Sequence, residues 1–326
     1  MKKQISLKTK TIISMILFVV IFAGLLVVAT FYDLQISQLL AKPKLADGAY
    51  FSTSNFGLLG EVLGSAPIYL TITLAATIWF WYLYRNSKKW LSILLLVVSF
   101  IATYLFFADI FNYIGEEMGN EEFMSQTYIL LTEIILALML SLSFLFAWGR
   151  INPKTNENLR MLGVVILCAL IGQAIVHLVK APMGRARFRT LNAIDDFSLY
   201  TKWFVVNGKR ILGTDLADDC CKSFPSGHTC AAGAVYSLLA LPYLVKSCST
   251  KKAKLWIWIL CIAFVGTVAT SRIVVGAHYL SDVLVAGTIA FLSSMIFIEI
   301  FVCKGLHFKA IFGKLPADYE EVKPED

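Results

Sequence analysis

The stretch from residue 127 to residue 148, TYILLTEIILALMLSLSFLFAW, decides the class of this protein. Apart from Glu133 it carries no charged residue. A bilayer core about 30 Å thick needs roughly 20 apolar residues for each crossing helix. The length and composition of this stretch therefore predict a helix that crosses a membrane.

The rest of the chain has the same character. Its 326 residues are 58% hydrophobic and 16% charged, and the mean hydropathy of +0.71 excludes an ordinary soluble domain. No alternation typical of a membrane β-barrel accompanies the apolar stretches. We predict an all-α fold, a polytopic transmembrane helical bundle of about eight crossings within a single membrane domain, 1–326. The predicted crossings are 12–31, 65–84, 91–109, 127–148, 160–179, 228–245, 255–271 and 282–302.

The distribution of Lys and Arg predicts the orientation, because basic residues near helix ends stay on the cytoplasmic side. They concentrate in the segments 2–10, 85–89, 150–160, 246–254 and 304–309. The opposite loops are expected to carry Asp33, Asp47, Glu61, the acidic cluster 116–122 and the long segment 180–227. We therefore predict a multi-pass cell-membrane protein with both termini cytoplasmic. The net charge of +7 then reflects topology and contacts with membrane lipids, and implies no nucleic-acid partner.

Three polar clusters lie at the ends of predicted crossings on the extracytoplasmic side, where polar groups are costly and a functional role is the default. The first, KAPMGRAR, brings Lys180, Arg185 and Arg187 close together and favours an anionic ligand. Snorkelling of basic side chains to the interface is the alternative. The second, FPSGH, places Ser226, Gly227 and His228 at the start of an apolar stretch. The unpaired N–H groups of a helix start can bind phosphate, although a histidine there can also be structural.

The third cluster, SRIVVGAHYLSD, runs from Ser271 to Asp282. His278 and Asp282 are four residues apart, so on a helix they share one face and the carboxylate can fix the imidazole tautomer. This is the geometry of a nucleophile held by an acid, and an interhelical hydrogen-bond network is the alternative.

Taken together, Lys-x6-Arg, Pro-Ser-Gly-His and Ser-Arg-x5-His-x3-Asp resemble the type 2 phosphatidic acid phosphatase superfamily. The motifs lie within 180–282, whereas the helices in 12–148 add little to the resemblance. One departure is Phe188, which follows Arg187 where the family normally has proline.

The resemblance implies a metal-independent membrane phosphatase without a cofactor, acting on a lipid phosphate or diphosphate through a phosphohistidine. The implied substrates are undecaprenyl diphosphate, phosphatidylglycerol phosphate, phosphatidic acid or a phosphorylated lipid A. His278 would be the nucleophile, Asp282 its partner, and His228 the acid and then the base. The implied phosphate-binding residues are Lys180, Arg187, Arg272, Ser226 and Gly227.

Several interpretations stay open at this point. Arg185 either assists phosphate binding or faces lipid headgroups, and Arg189 is expected at the surface. The segment 188–224 either caps the site as a lid or is an exposed interfacial loop. Phosphotransfer to an alcohol would use the same histidine, and an anion transporter is an alternative from a different class of protein. The sequence predicts no oligomeric state.

Overall fold

The computed structural model describes residues 7–41, 55–117, 126–150, 153–208 and 218–302. Within these residues the chain is helical and contains no β-strand, which confirms the all-α prediction. The α-helices are α1 (Leu7–Ala41), α2 (Asn55–Arg85), α3 (Lys89–Glu117), α4 (Thr127–Gly149), α5 (Pro153–Met183), α6 (Phe188–Ala193), α7 (Gly227–Ala232), α8 (Leu241–Leu244), α9 (Lys251–Val274) and α10 (Leu280–Phe301).

Seven of the described helices are long and apolar enough to cross a membrane: α1 to α5, α9 and α10. The polytopic character is thus confirmed by length and composition. The eighth predicted crossing, 228–245, falls on α7, the 3-10 helix Gly233–Ala240 and α8, which follow one another without a gap. Because a 3-10 helix rises about 2.0 Å per residue and an α-helix about 1.5 Å, the three together span about 30 Å. An eighth crossing therefore stays a prediction with adequate length.

This segment forms the centre of the bundle. Cys230, Ala232, Leu239 and Ala240 are buried in the main apolar core, which also draws residues from α2, α5, α9 and α10. The helices around it approach closely because small residues face it: a Cβ on Gly233 would lie only 2.3 Å from the Cβ of Ala290. Close packing of small residues is a common way for membrane helices to associate.

Two predicted loop positions lie within helices. Asp33 was expected in an extracytoplasmic loop, but α1 continues to Ala41 and Asp33 is 1% exposed. Glu61 was also expected in a loop and lies in the second turn of α2, which begins at Asn55. Both carboxylates pair with arginines at the site described below, so the polar ends of these helices are stabilised by partners that are distant in sequence. Asp47 lies outside the described residues.

The three predicted motifs meet at one end of the bundle. They occupy the end of α5, the start of α7, and the turn between α9 and α10. The start of α2 and the end of α3 reach the same place, since α2 packs against α3, α7 and α9. The side of the membrane that this end faces stays a prediction.

Candidate active site

His278 lies in the tight turn that joins α9 to α10. Gly276 adopts φ of +65°, a left-handed conformation that favours glycine, and it ends α9. The backbone N–H groups of Ala277 and His278 both donate to the carbonyl of Arg272. A side chain at Gly276 would also be crowded, because its Cβ would lie 3.1 Å from the backbone nitrogen of Arg189. The turn thus places His278 directly beside the end of α9, where it is 1% exposed.

One ring nitrogen of His278 is hydrogen-bonded to the backbone. Its Nδ1 lies 2.5 Å from the backbone carbonyl of Ser223, which can only accept a hydrogen bond. The proton of neutral His278 therefore belongs on Nδ1, and Nε2 keeps its lone pair. The pKa of His278 is lowered to about 3, chiefly by burial and also by the charges of Lys180 and Arg187, against the opposing effect of Asp282. The imidazole is neutral at pH 7, as a nitrogen nucleophile must be.

Asp282 supports His278 indirectly, through Ser223. Its Oδ2 lies 3.8 Å from Nδ1 of His278, close enough for an ion pair but too far for a hydrogen bond. The same oxygen accepts hydrogen bonds from the Ser223 hydroxyl at 2.5 Å and the Tyr279 N–H at 2.8 Å. The expected role in fixing the tautomer thus falls to the Ser223 carbonyl, whereas Asp282 holds Ser223 in place and supplies a nearby negative charge.

A buried arginine balances that charge. Arg185 contacts Oδ1 of Asp282 at 2.5 Å and Oδ2 of Asp33 at 3.1 Å. Its guanidinium also donates to Ser281, Tyr200 and the carbonyl of Thr201, and stacks 4.2 Å from the Tyr279 ring centroid. With 1% exposure and partners on all three nitrogens, Arg185 is neither a headgroup contact nor a phosphate ligand. It is the counter-ion of two buried carboxylates.

The Pro-Ser-Gly-His motif begins α7 as predicted. Ser226 is the N-cap, and its hydroxyl oxygen accepts from the N–H of Thr229 at 3.3 Å and bonds the Thr229 hydroxyl at 2.9 Å. The Ser226 N–H donates to the carbonyl of Asp282, which joins this motif to the third. Gly227 is buried, and a Cβ there would lie 3.4 Å from Nζ of Lys180. The Lys180 ammonium therefore reaches the start of α7 from the end of α5.

The guanidinium of Arg187 has an N–H group that makes no hydrogen bond within the described residues. One of its terminal nitrogens pairs with Asp219 at 2.7 Å, and the residue is 9% exposed. Its Nε is buried and has no hydrogen-bond partner in the described part of the chain. A buried donor without a partner is costly, so this N–H is suited to an anion that arrives from outside. Arg189, expected at the surface, is only 4% exposed and lies 3.6 Å from the same carboxylate of Asp219.

Arg272 is fully buried and is held by α2. It pairs with Glu61 at 2.5 Å, donates to the carbonyl of Gly57, and donates to the Ser271 hydroxyl at 3.3 Å. The Glu61 side chain retains 24% exposure. Sequence reasoning missed Glu61 as a partner of the site, because nothing in the local pattern shows which side chain meets Arg272.

His228 also has a partner that the sequence did not indicate. Its Nε2 lies 3.1 Å from the hydroxyl of Tyr113, near the end of α3. His228 is within Coulombic range of His278, Lys180, Arg187 and Arg272. The predicted catalytic histidines and phosphate-binding cations therefore belong to one cluster, although their motifs are separated by up to a hundred residues of chain.

This cluster defines a class of site: two histidines, one of which has a single ring nitrogen hydrogen-bonded to the protein, beside several cations inside an apolar helical bundle. Residues 159–304 match the family model described as PAP2 superfamily, which confirms the resemblance drawn from the motifs. All eight predicted site residues lie within the matched range, whereas Glu61 and Tyr113 lie outside it. The match to this superfamily indicates phosphatase activity on phosphate esters.

The other comparisons add no relative. No curated protein and no solved structure matches the chain. No group of three or more His, Cys, Asp or Glu side chains within the described ranges is arranged to hold a metal ion.

Proposed function

We propose that the protein is a membrane phosphatase that removes phosphate from a lipid phosphate or diphosphate through a phosphohistidine on His278. The observation that carries the proposal is the state of His278: it is neutral, its Nδ1 donates to the Ser223 carbonyl, and its Nε2 is free for attack. A tail that stays in lipid would deliver a phosphate headgroup to the end of the bundle where this nitrogen lies.

Binding of the phosphate group depends on the cations around His278. Lys180, Arg187 and Arg272 would neutralise the oxygens of the phosphoryl group, and the unpartnered Nε of Arg187 supplies a ready donor. Charge stabilisation in a site that excludes water is the largest single contribution in phosphoryl transfer. The backbone N–H groups of Gly227 and His228 are additional donors at the start of α7.

In the first chemical step, the Nε2 lone pair of His278 forms a bond to phosphorus while the bond to the leaving oxygen breaks. The imidazolium form of His228 donates a proton to that oxygen and becomes neutral, and the nearby Asp282 carboxylate stabilises the positive charge on the phosphorylated imidazole. In the second step, His228 takes a proton from water as its oxygen attacks phosphorus. The P–N bond then breaks, inorganic phosphate leaves, and neutral His278 is restored.

The decisive experiment measures inorganic phosphate released by the purified protein in EDTA. The substrate panel comprises undecaprenyl diphosphate, phosphatidylglycerol phosphate, phosphatidic acid and lipid A. We expect turnover of at least one of these substrates. Relative to the wild type, kcat should fall more than about 10³-fold in His278→Ala and should also fall strongly in His228→Ala. His177→Ala is the matched control, because His177 is an exposed histidine on α5 that lies 3.2 Å from Gln173 of its own helix.

The same assay distinguishes the alternatives. Retained turnover in His278→Ala would remove the nucleophile assignment. Phosphotransfer predicts a new phosphate ester when an alcohol is added, with an equal loss of free phosphate. An anion transporter predicts flux in vesicles that survives His278→Ala. The predicted position of the site on the extracytoplasmic face is tested by adding a water-soluble substrate to sealed vesicles of known orientation.

A further inference from the structure

Tyr113 is a contact of the site that comes from outside the family match. It lies near the end of α3, more than forty residues before the matched range 159–304. Its hydroxyl is 3.1 Å from Nε2 of His228, and the two ring centroids are 6.4 Å apart. None of the three family motifs includes this residue.

The packing of α2 shows which edge of the imidazole is held. A Cβ on Gly64 would lie 3.0 Å from Cβ and 3.2 Å from Cδ2 of His228, so α2 packs directly against the ring. Cδ2 and Nε2 are neighbouring ring atoms on one edge, and Tyr113 contacts that same edge. The opposite edge, with Nδ1, therefore points away from α2 and α3.

We propose that Tyr113 is a positioning residue for His228 and fixes Nδ1 as the atom that exchanges a proton with the substrate. This inference rests on the proposed function. In this arrangement Nε2–H donates to the Tyr113 hydroxyl in both charge states of His228, so the second proton, present only in the imidazolium form, is the one on Nδ1. The His228 imidazolium then gives its Nδ1 proton to the leaving oxygen in the first step and becomes neutral, and neutral His228 takes a proton from water at Nδ1 in the second step.

A neutral hydroxyl suits this role better than a carboxylate. His228 must gain and lose a proton in each cycle, and a negatively charged partner would stabilise the imidazolium and hold the proton. A tyrosine fixes the ring without adding a charge. The two histidines of the site are thus held by neutral oxygens, His278 through a backbone carbonyl and His228 through a phenol.

The test compares Tyr113→Phe with Tyr69→Phe. Tyr69 is a matched control because its hydroxyl also contacts a neighbouring helix, joining α2 to α3 through Asp109 at 2.9 Å, whereas the Tyr113 hydroxyl joins α3 to α7 through His228. We expect Tyr113→Phe to lower kcat about tenfold, a fraction of the 10²–10⁴ typical of general acid–base catalysis, with little change in KM. The limb of the pH–rate profile that reports His228 should shift in Tyr113→Phe and stay in place in Tyr69→Phe.

A second measurement does not depend on activity. In protein labelled with ¹⁵N-histidine, the Nε2 resonance of His228, assigned with His228→Ala, should move in Tyr113→Phe and not in Tyr69→Phe. An unchanged resonance with an unchanged pH profile overturns the inference. An equal loss of kcat in both variants also overturns it, because it would indicate only a general loosening of the packing around α3. Absence of phosphate release from every substrate refutes the proposed function, and the resonance alone then decides whether Tyr113 holds His228.

Discussion

Replacing Arg185 by methionine tests whether this buried cation is a counter-ion or a phosphate ligand. Arg185 is the nearest cation to Asp282 and Asp33, at 2.5 Å and 3.1 Å, and all three side chains are at most 1% exposed. Methionine keeps much of the apolar volume and removes the charge. The substitution leaves two carboxylates buried without their partner.

The expected loss of stability follows from that arrangement. Removing one partner of a buried ion pair costs about 3–5 kcal/mol, because the remaining charge is uncompensated. Since 1.4 kcal/mol corresponds to a tenfold change, the folded fraction should fall by roughly a hundredfold or more at the wild-type midpoint. Adding Asp33→Asn should restore part of the loss, by about 1–3 kcal/mol, because it removes one of the two uncompensated charges.

The assay is unfolding by denaturant or heat in detergent, combined with kinetics of phosphate release. Arg85→Met is the matched control, since Arg85 is an exposed arginine at the end of α2 whose guanidinium lies 5.4 Å from the Trp81 ring centroid. We expect Arg185→Met to lower both stability and kcat, the latter because Asp282 loses its position, while KM changes little. Wild-type stability with a KM raised many-fold would show that Arg185 binds phosphate and would refute the reasoning.

Two further substitutions test the contribution of α2. Glu61→Gln removes the negative charge that competes with an anionic substrate for Arg272, so the KM for that substrate should fall a few-fold. Glu121→Gln, in the predicted acidic loop, is the charge-matched control. A raised KM in Glu61→Gln would show instead that Glu61 is needed to hold Arg272. Gly60→Ala should lower stability by about 1–3 kcal/mol, because the added Cβ would lie 1.8 Å from the hydroxyl oxygen of Ser271, the residue before Arg272. Gly24→Ala has no atom within 4 Å of the new Cβ and is the control, so equal losses of stability in the two variants would contradict the proposed close approach.

Much of the site was predictable from local sequence. The spacing of His278 and Asp282, the helix start at Ser226, and the three cations all follow from motifs that are contiguous in the chain, and the structure brings them to one place. The membrane class was predictable too, because a helix that crosses lipid needs a long apolar run, and such runs are read directly from composition. The 3-10 helix within the predicted crossing 228–245 was harder to predict, since a 3-10 helix and an α-helix have the same apolar composition.

Partners distant in sequence were not predictable. The motif that contains Lys180 and Arg187 suggested Arg185 as a possible anion ligand, yet its guanidinium forms ion pairs with Asp33 and Asp282. Asp33 and Glu61 were placed in loops because helix ends were set by hydropathy, and hydropathy undervalues a charge that has a buried counter-ion. Tyr113 carries no local signal of its contact with His228.

The sequence alone determined that the chain is helical, with runs long and apolar enough to cross a membrane, and which residues could carry phosphate chemistry. Only the tertiary structure decided what each of those residues touches: Ser223 as the acceptor for His278, Arg185 as a counter-ion, and Tyr113 and Glu61 as contacts from the first helices. The physical reason is that apolar runs and motif spacings are local properties of the chain. The pairing of a buried charge or hydrogen-bonding group depends on which helices pack together.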